Sequence, residues 1–298
     1  MKVTQLPDVE PGSGRRDVAI GTFDGVHLGH REVIRGADTV LTFDPHPLAV
    51  IHPEATPKLI APMSVKRDLI ASLGVEEMVV IPFDHGFSEQ TAEEFVQHVL
   101  VERLGAARVA VGENFRFGKG AQGTADLLRS HDEFDTRVVP LVEVAGETVS
   151  SSHIRGLIAA GDVAGAAEFL GEPFLFEGEV VSGDRRGREL GVPTANLVPD
   201  DAYVSPGHGV YAAMADGHPT AVNVGVRPTF ETGRGLLIEA HLIGFEGDLY
   251  GQQLRIAFLE RMRGEKRFES VDELVEQMQL DLAEAQKISG RLLRFPAR

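Results

Sequence analysis

A chain of 298 residues is long enough for two domains that each bury a core, and 43% hydrophobic with 25% charged residues is the composition of an ordinary globular protein. The absence of cysteine excludes a disulfide framework, a thiolate-ligated metal and a cysteine nucleophile. A net charge of −16 sets the surface against nucleic acid and anionic lipid, and no h-region or run of membrane-spanning length is present, so a cytoplasmic protein with small-molecule partners is expected, any protein partner being unassigned.

In chain order, "DVAIGTF" reads as a strand ending at Phe23, "GHREVIRGA" as a short helix and "TVLTF" as a second strand running into "DPHP". "SVKRDLIASLG" predicts a helix capped by Ser64, with Leu69, Ile70 and Leu73 as its apolar stripe and Gly74 as its stop. "MVVIPF" is a third strand. In "TAEEFVQHVLVERLG", Thr91 and Glu94 form a capping box ahead of Phe95, Val96, Val99, Leu100 and Leu104 at helical spacing. "ARVAVG" and "TRVVPLV" supply two more strands, with "TADLLRS" as a helix between them. Strands alternating with crossover helices predict an α/β domain with a parallel sheet.

"SSHIRGLIAAGDVAGAAEFLG" reads as two short helices, after which the pattern changes. "FLFEGEVV", "GVYAAMA", "TAVNVGV", "LLIEAHLI" and "QLRIAFLE" are short β runs between turn residues, the pattern of an antiparallel barrel or sandwich. A closing helix is expected in "SVDELVEQMQLDLAEAQKI", with Val271, Leu274, Val275, Met278 and Leu282 on one apolar face. The expected domains are 1–172 and 173–298.

The loop "GTFDGVHLGH" follows the first strand, where a parallel sheet places its ligands, and His27 and His30 flank the start of the next helix. Helix amides attract phosphate, imidazoles donate hydrogen bonds to it, and Gly29 permits close approach. Two other readings stand beside this one: histidines that only cap or pack, and a zinc site completed by Asp24 or His46.

"HLGH" resembles the HxGH signature of the nucleotidylyltransferases, and "VSSSHIR" resembles their second motif. With "FDPHP" and "GENFRFG" between them, the first half is similar to the FMN adenylyltransferase module of bacterial FAD synthetases. "LGVPTANL", "VNVGVRPTF" and "EAHLIGFEGDLYG" make the second half similar to the riboflavin kinase module. The resemblance runs from about Asp17 to Ile288. It implies a bifunctional enzyme that uses Mg²⁺ and ATP to convert riboflavin to FMN and then FMN to FAD, with an N-terminal nucleotidylyltransferase-like domain and a C-terminal β-barrel.

For adenylylation the resemblance implies His27, His30 and Arg155 as catalytic groups. It implies Gly21, Phe23, Asp24, Gly29, His46, Asn114, Ser150, Ser151 and Ser152 as ligand-binding positions, Ser152 standing where threonine is usual. FMN phosphate is already an anion, so charge stabilisation and not a base is what this step needs. The ribityl hydroxyl, by contrast, needs a base. Strand alternation sets Glu239 and His241 on one face opposite Ile238 and Ala240, and the resemblance makes Glu239 that base. Thr194 and Asn196 are implied as Mg²⁺ ligands; Gly183, Asp184, Gly187, Arg188, Asn223 and Arg227 are implied as nucleotide or flavin contacts. In the loop over the nucleotide, the resemblance has a usual glycine where Arg185 or Arg186 stands.

A kinase with an inactive first half and a non-catalytic flavin sensor are the alternatives; the second gives no use for a base at Glu239. One departure bears on the first. Only 15 residues separate Phe23 from Thr39, so the helix after the histidine loop is expected to be loosely held, and adenylylation to be the weaker activity.

Overall fold

The computed structural model describes residues 1–181, 194–226 and 235–292. It divides into two compact units, Met1–Pro57 with Met63–Ser151, and Lys58–Pro62 with Ser152–Arg298. Among the described residues no helix is long and apolar enough to cross a membrane.

In the first unit β1 (Lys2–Gln5), β2 (Arg16–Ile20), α1 (Leu28–Ile34), β3 (Thr39–Asp44), α2 (Pro47–Ile51), α3 (Met63–Ser72) and β4 (Glu77–Pro82) follow one another. Then come α4 (His85–Ser88), α5 (Ala92–Glu94), β5 (Ala106–Gly112), the hairpin β6 (Arg116–Phe117) and β7 (Gly123–Thr124), α6 (Ala125–Arg129) and β8 (Asp135–Val139). A second small hairpin, β9 (Glu143–Val144) and β10 (Glu147–Thr148), ends the unit. The sheet is parallel throughout, in the order β1-β4-β3-β2-β5-β8. Both faces are covered, one by Phe95, Val96 and Leu100 packed on Leu41, Val79 and Ile81, the other by Val33, Ile34 and Ile70 packed on Ala19, Val40 and Met78. Burial on both faces is why these strands read as unbroken apolar runs.

Several expectations need correcting. β2 ends at Ile20, so residues 21–38 make the crossover, and Phe23 belongs to the loop. Its helix is not loosely held: Arg31 Nε donates to the Val26 carbonyl at 3.0 Å, and Arg137 Nη2 donates to those of Val33 and Arg35 at 2.7 Å each. In α3 the helix starts one residue before Ser64, Leu73 is 36% exposed, and Val65 and Lys66 join Ile70 on the buried face. The capping box of Thr91 and Glu94 is present, but Phe95–Arg103 continues as a π-helix. The expected apolar residues are buried all the same. β1 was not expected; it is an edge strand of four residues, tied to Glu77 by Lys2 and Thr4.

The second unit carries α7 (Ser151–Ala160), α8 (Val163–Leu170), β11 (Phe174–Val181), β12 (Ala195–Leu197), β13 (Gly209–Ala215), β14 (His218–Val226), β15 (Leu236–Leu242), β16 (Gln253–Arg263) and α9 (Val271–Leu292). Its six strands close an antiparallel barrel in the order β11-β12-β15-β14-β13-β16, filled by Phe174, Leu197, Tyr211, Val224, Ile238, Ile256 and Phe258. Closure removes the exposed edges that short antiparallel strands otherwise leave. The second unit begins at Ser152 and not at the expected 173, because α8 packs on β11 and β16 and the two helices group with the barrel. Along α9, Leu274, Val275, Met278 and Leu282 are half-buried, but Val271 is 61% exposed; Ala285, Ile288 and Ser289 make the buried contacts. Arg263 from β16 grips Asp281 of this helix with two hydrogen bonds, 3.0 and 2.7 Å.

Candidate active sites

The chain leaves β2 through residues whose backbone is left-handed, Phe23 (φ 49°), Gly25 (φ 81°) and Val26 (φ 43°). Phe23 and Val26 pay the strain of a conformation that suits glycine, and complete burial of both side chains holds it in place. His27 then caps α1: its Nδ1 accepts from the His30 backbone N–H at 3.2 Å. An amide can only donate, so that nitrogen carries no proton and a neutral His27 bears its hydrogen on Nε2. The two imidazoles stack with centroids 3.5 Å apart and 14° between planes, and a Cβ at Gly29 would stand 3.2 Å from the His27 ring. His30 packs edge-on against Phe23, and its Nδ1 is buried with no hydrogen-bond partner. Desolvation, then the positive charges of His27 and Lys66, hold the His30 imidazole well below its ordinary range, so it is neutral at pH 7.

These groups open into a cavity of about 910 Å³ at the carboxyl ends of the strands. It gathers Gly21, Phe23, His27, Gly29, His30, His46, Asn114, Ser150 and Ser151 from four separate stretches of sequence. His46 repeats the device of His27, capping α2 with Nδ1 accepting from the Leu48 N–H at 3.2 Å. Asp24, Ser152 and Arg155 are not among the lining residues. Asp24 is 2% exposed and its carbonyl accepts from Ser151 Oγ at 3.0 Å, while Arg155 Nη1 donates to Ser152 Oγ at 3.4 Å. Among the described residues no three His, Asp or Glu side chains converge as a metal would need, which removes the zinc reading of His27, His30, Asp24 and His46.

A run of aromatic lining was not expected. Phe83, Phe87, Phe95, Phe115 and Phe117 form it as a chain of ring contacts, joined by Arg116 and by Lys119, which pairs with Glu89 at 2.6 Å. The signal was in "FDHGF" and "NFRFG", whose phenylalanines cluster around turn residues. Such a wall suits a flat aromatic ligand, and the basic side chains suit its phosphate.

In the barrel, register brings Asn196 on β12, Glu239 on β15 and Asn223 on β14 into one row. Asn223 Nδ2 donates to Glu239 Oε2 at 3.1 Å, and Glu239 is half-buried between the fully buried Ile238 and Ala240, the alternation the sequence predicts. Asn196 is 8% exposed, with Thr194 just ahead of its strand. Glu265 is an addition: its Oε1 lies 2.8 Å from where a Cβ on Gly225 would stand, beside the Asn223 amide. Hydroxyl, amide and carboxylate oxygens are hard donors that fit Mg²⁺ arriving with nucleotide phosphates. Gly183, Asp184, Arg185, Arg186, Gly187, Arg188 and Arg227 lie outside the described residues.

An FAD synthetase family model matches residues 12–153, and a riboflavin kinase model matches 170–289. A bifunctional riboflavin kinase/FMN adenylyltransferase from Listeria monocytogenes is 34% identical over 292 residues, 92% of this chain and 93% of the relative. Those of Escherichia coli K12 and Bacillus subtilis are each 35% identical, over 92% and 90% of both chains respectively. A crystal structure from Streptococcus pneumoniae described as a macrolide-efflux protein superposes with a TM-score of 0.84 at 30% identity, covering 96% of this chain and 99% of that one. The chain belongs to the bifunctional riboflavin kinase/FMN adenylyltransferases, which phosphorylate riboflavin to FMN and adenylylate FMN to FAD.

Proposed function

We propose that adenylyl transfer takes place in the cavity over the His27–His30 pair and that Glu239 is the base for riboflavin phosphorylation. The stacked imidazoles at the start of α1 carry the first assignment. A phosphate oxygen of FMN attacks the α-phosphorus of ATP, the bond to pyrophosphate breaks, and negative charge builds on the α-phosphate and the leaving group. The two imidazoles answer that charge as hydrogen-bond donors already in place, so no reorganisation is required as the charge develops. Ser150 and Ser151 add hydroxyl donors, and Gly21 and Gly29 let the ligand approach the backbone. In this reading the phenylalanine wall takes the flavin ring, with His46 and Asn114 at its edge. Arg155 and Ser152 serve the pyrophosphate, and Asp24 supports the loop.

In the barrel, Glu239 takes the proton of the ribityl 5′-hydroxyl as its oxygen bonds to the γ-phosphorus and ADP departs. Asn223 orients the carboxylate through its 3.1 Å hydrogen bond. Thr194 and Asn196 would hold Mg²⁺, which neutralises charge on the transferring phosphoryl group. The modules for the two activities are 1–172 and 173–298 in this proposal. Cytoplasmic location, and the exclusion of nucleic acid and membrane, belong to it as well, supported by the net charge of −16. The test supplies Mg-ATP with riboflavin or with FMN and separates the flavins by chromatography. His27→Ala with His30→Ala should stop FMN-to-FAD conversion and spare FMN formation; equal loss of both would refute the assignment.

A further inference from the structure

Lys66 faces inward on α3, between buried Val65 and buried Ile70, and only 6% of it is exposed. A buried ammonium is costly unless carboxylates compensate it, and the position is a local contradiction of the kind found where a site demands it. Two carboxylates act on Lys66: Asp24, itself 2% exposed and in the middle of the left-handed loop 23–26, and Asp44 at the end of β3. Burial pushes the ammonium down from its ordinary range and these two push it back up. The same cation acts on His30, and among the described residues His27 is the other charged influence on it. One side chain from α3 thus reaches, through charge, the strained loop, the end of the next strand and the imidazole stack. It does not line the cavity, so it acts through these groups and not on the substrate.

We propose that Lys66 is a positioning residue for adenylyl transfer, holding the strained loop 23–26 through Asp24 and setting the field in which the His27–His30 stack works. The inference rests on the assignment of adenylyl transfer to that cavity. Two consequences follow from the charge. Without it, Asp24 is left buried with less charge compensation, so the strained loop is less well held and the capping ring of His27 moves from its place over Gly29. A misplacement of about 1 Å at the reacting groups costs about 10²-fold in rate. His30 also loses a like charge, so it takes up a proton at higher pH than before.

The experiment uses the full chain with Lys66→Met and Lys66→Arg, assayed separately for riboflavin-to-FMN and FMN-to-FAD conversion across pH, with the imidazole titration of His30 followed by NMR. Lys66→Met should lower kcat for FAD formation about 10- to 100-fold, with KM for ATP within about threefold and FMN formation unchanged. The acid limb of FAD formation and the His30 titration should both move to higher pH. Lys66→Arg should restore kcat to within about threefold of the unmodified chain. FAD formation within threefold for Lys66→Met, a parallel loss of kinase activity, or an unmoved acid limb and titration would each overturn the proposal. Should Lys66→Met unfold the first unit, Lys66→Gln is judged by the same outcomes. His27→Ala with His30→Ala serves as control: FAD formation surviving in it refutes the parent assignment, whereas its loss there and persistence in Lys66→Met refutes the role of Lys66 alone.

Discussion

Glu239 and His30 both work as single groups, but the environment asks opposite things of them. Glu239 is half-buried and accepts a hydrogen bond from Asn223, which orients the carboxylate for its work as a base. Glu239→Gln should therefore cut FMN formation by about 10²- to 10⁴-fold while FMN-to-FAD conversion continues unchanged, a split that flavin chromatography resolves. His30 is held neutral by desolvation and by neighbouring positive charge. The unfolded chain protonates this imidazole near its ordinary value of 6.5 and the folded chain only at lower pH. Between those two points the unfolded state binds more protons, so stability is lost as pH falls below that value. Urea unfolding of the first unit should lose up to about 1.4 kcal/mol per pH unit in that window, and His30→Phe should flatten the slope. An equal slope in the variant would place the titration elsewhere.

At the scale of elements, α1 shows how a seven-residue helix becomes a reliable part of a phosphate site. Too short to be stable alone, it is closed at its start by His27 and at its end by Arg137, whose guanidinium takes the carbonyls of Val33 and Arg35. Because Arg137 is exposed, its removal should cost only about 1 kcal/mol globally. Its local effect should be larger: Arg137→Ala should speed amide exchange over residues 28–35 and raise KM for ATP in FAD formation without touching FMN formation. Unchanged exchange there would mean that apolar packing of Val33 and Ile34 suffices. The sequence makes the strands and their order of helices legible because burial on two faces leaves continuous apolar runs, and the barrel legible because closure leaves strict alternation, as at Ile238, Glu239 and Ala240. What it hides has a common cause. Phe23 looks like the end of a strand, yet with Val26 it is buried in a left-handed loop. Lys66 looks like a solvated helix residue, yet tertiary charge pulls it inward. Val271 fits the apolar stripe of its helix, yet it is 61% exposed. Periodicity reports which residues avoid water, and it is blind to charges and turns that only the assembled fold compensates.

The molecule as a whole joins two units that each own a core and a site, with the product of one serving as substrate of the other. The barrel unit nevertheless borrows five residues from the first half of the chain, Lys58–Pro62. Leu59 pairs in parallel with Tyr203: its N–H donates to the Ala202 carbonyl at 2.8 Å, and its carbonyl accepts from the Val204 N–H at 2.9 Å. A fragment starting at Ser152 keeps the closed barrel, the row of Asn196, Glu239 and Asn223, and α9, but it loses both of these bonds and bares the side of Val204, which is otherwise 5% exposed. Two net hydrogen bonds and one partly uncovered valine amount to roughly 2 to 4 kcal/mol, a substantial share of a small domain's stability and short of all of it. Residues 152–298 expressed alone should therefore fold, form FMN from riboflavin and Mg-ATP, form no FAD, and melt several degrees below the same unit in the full chain. Adding a synthetic peptide of residues 56–64 should recover part of that difference. A fragment that melts at the same temperature with and without the peptide would show that the Leu59 segment only lies against the barrel, and an unfolded fragment would show that the borrowed strand is needed to complete it.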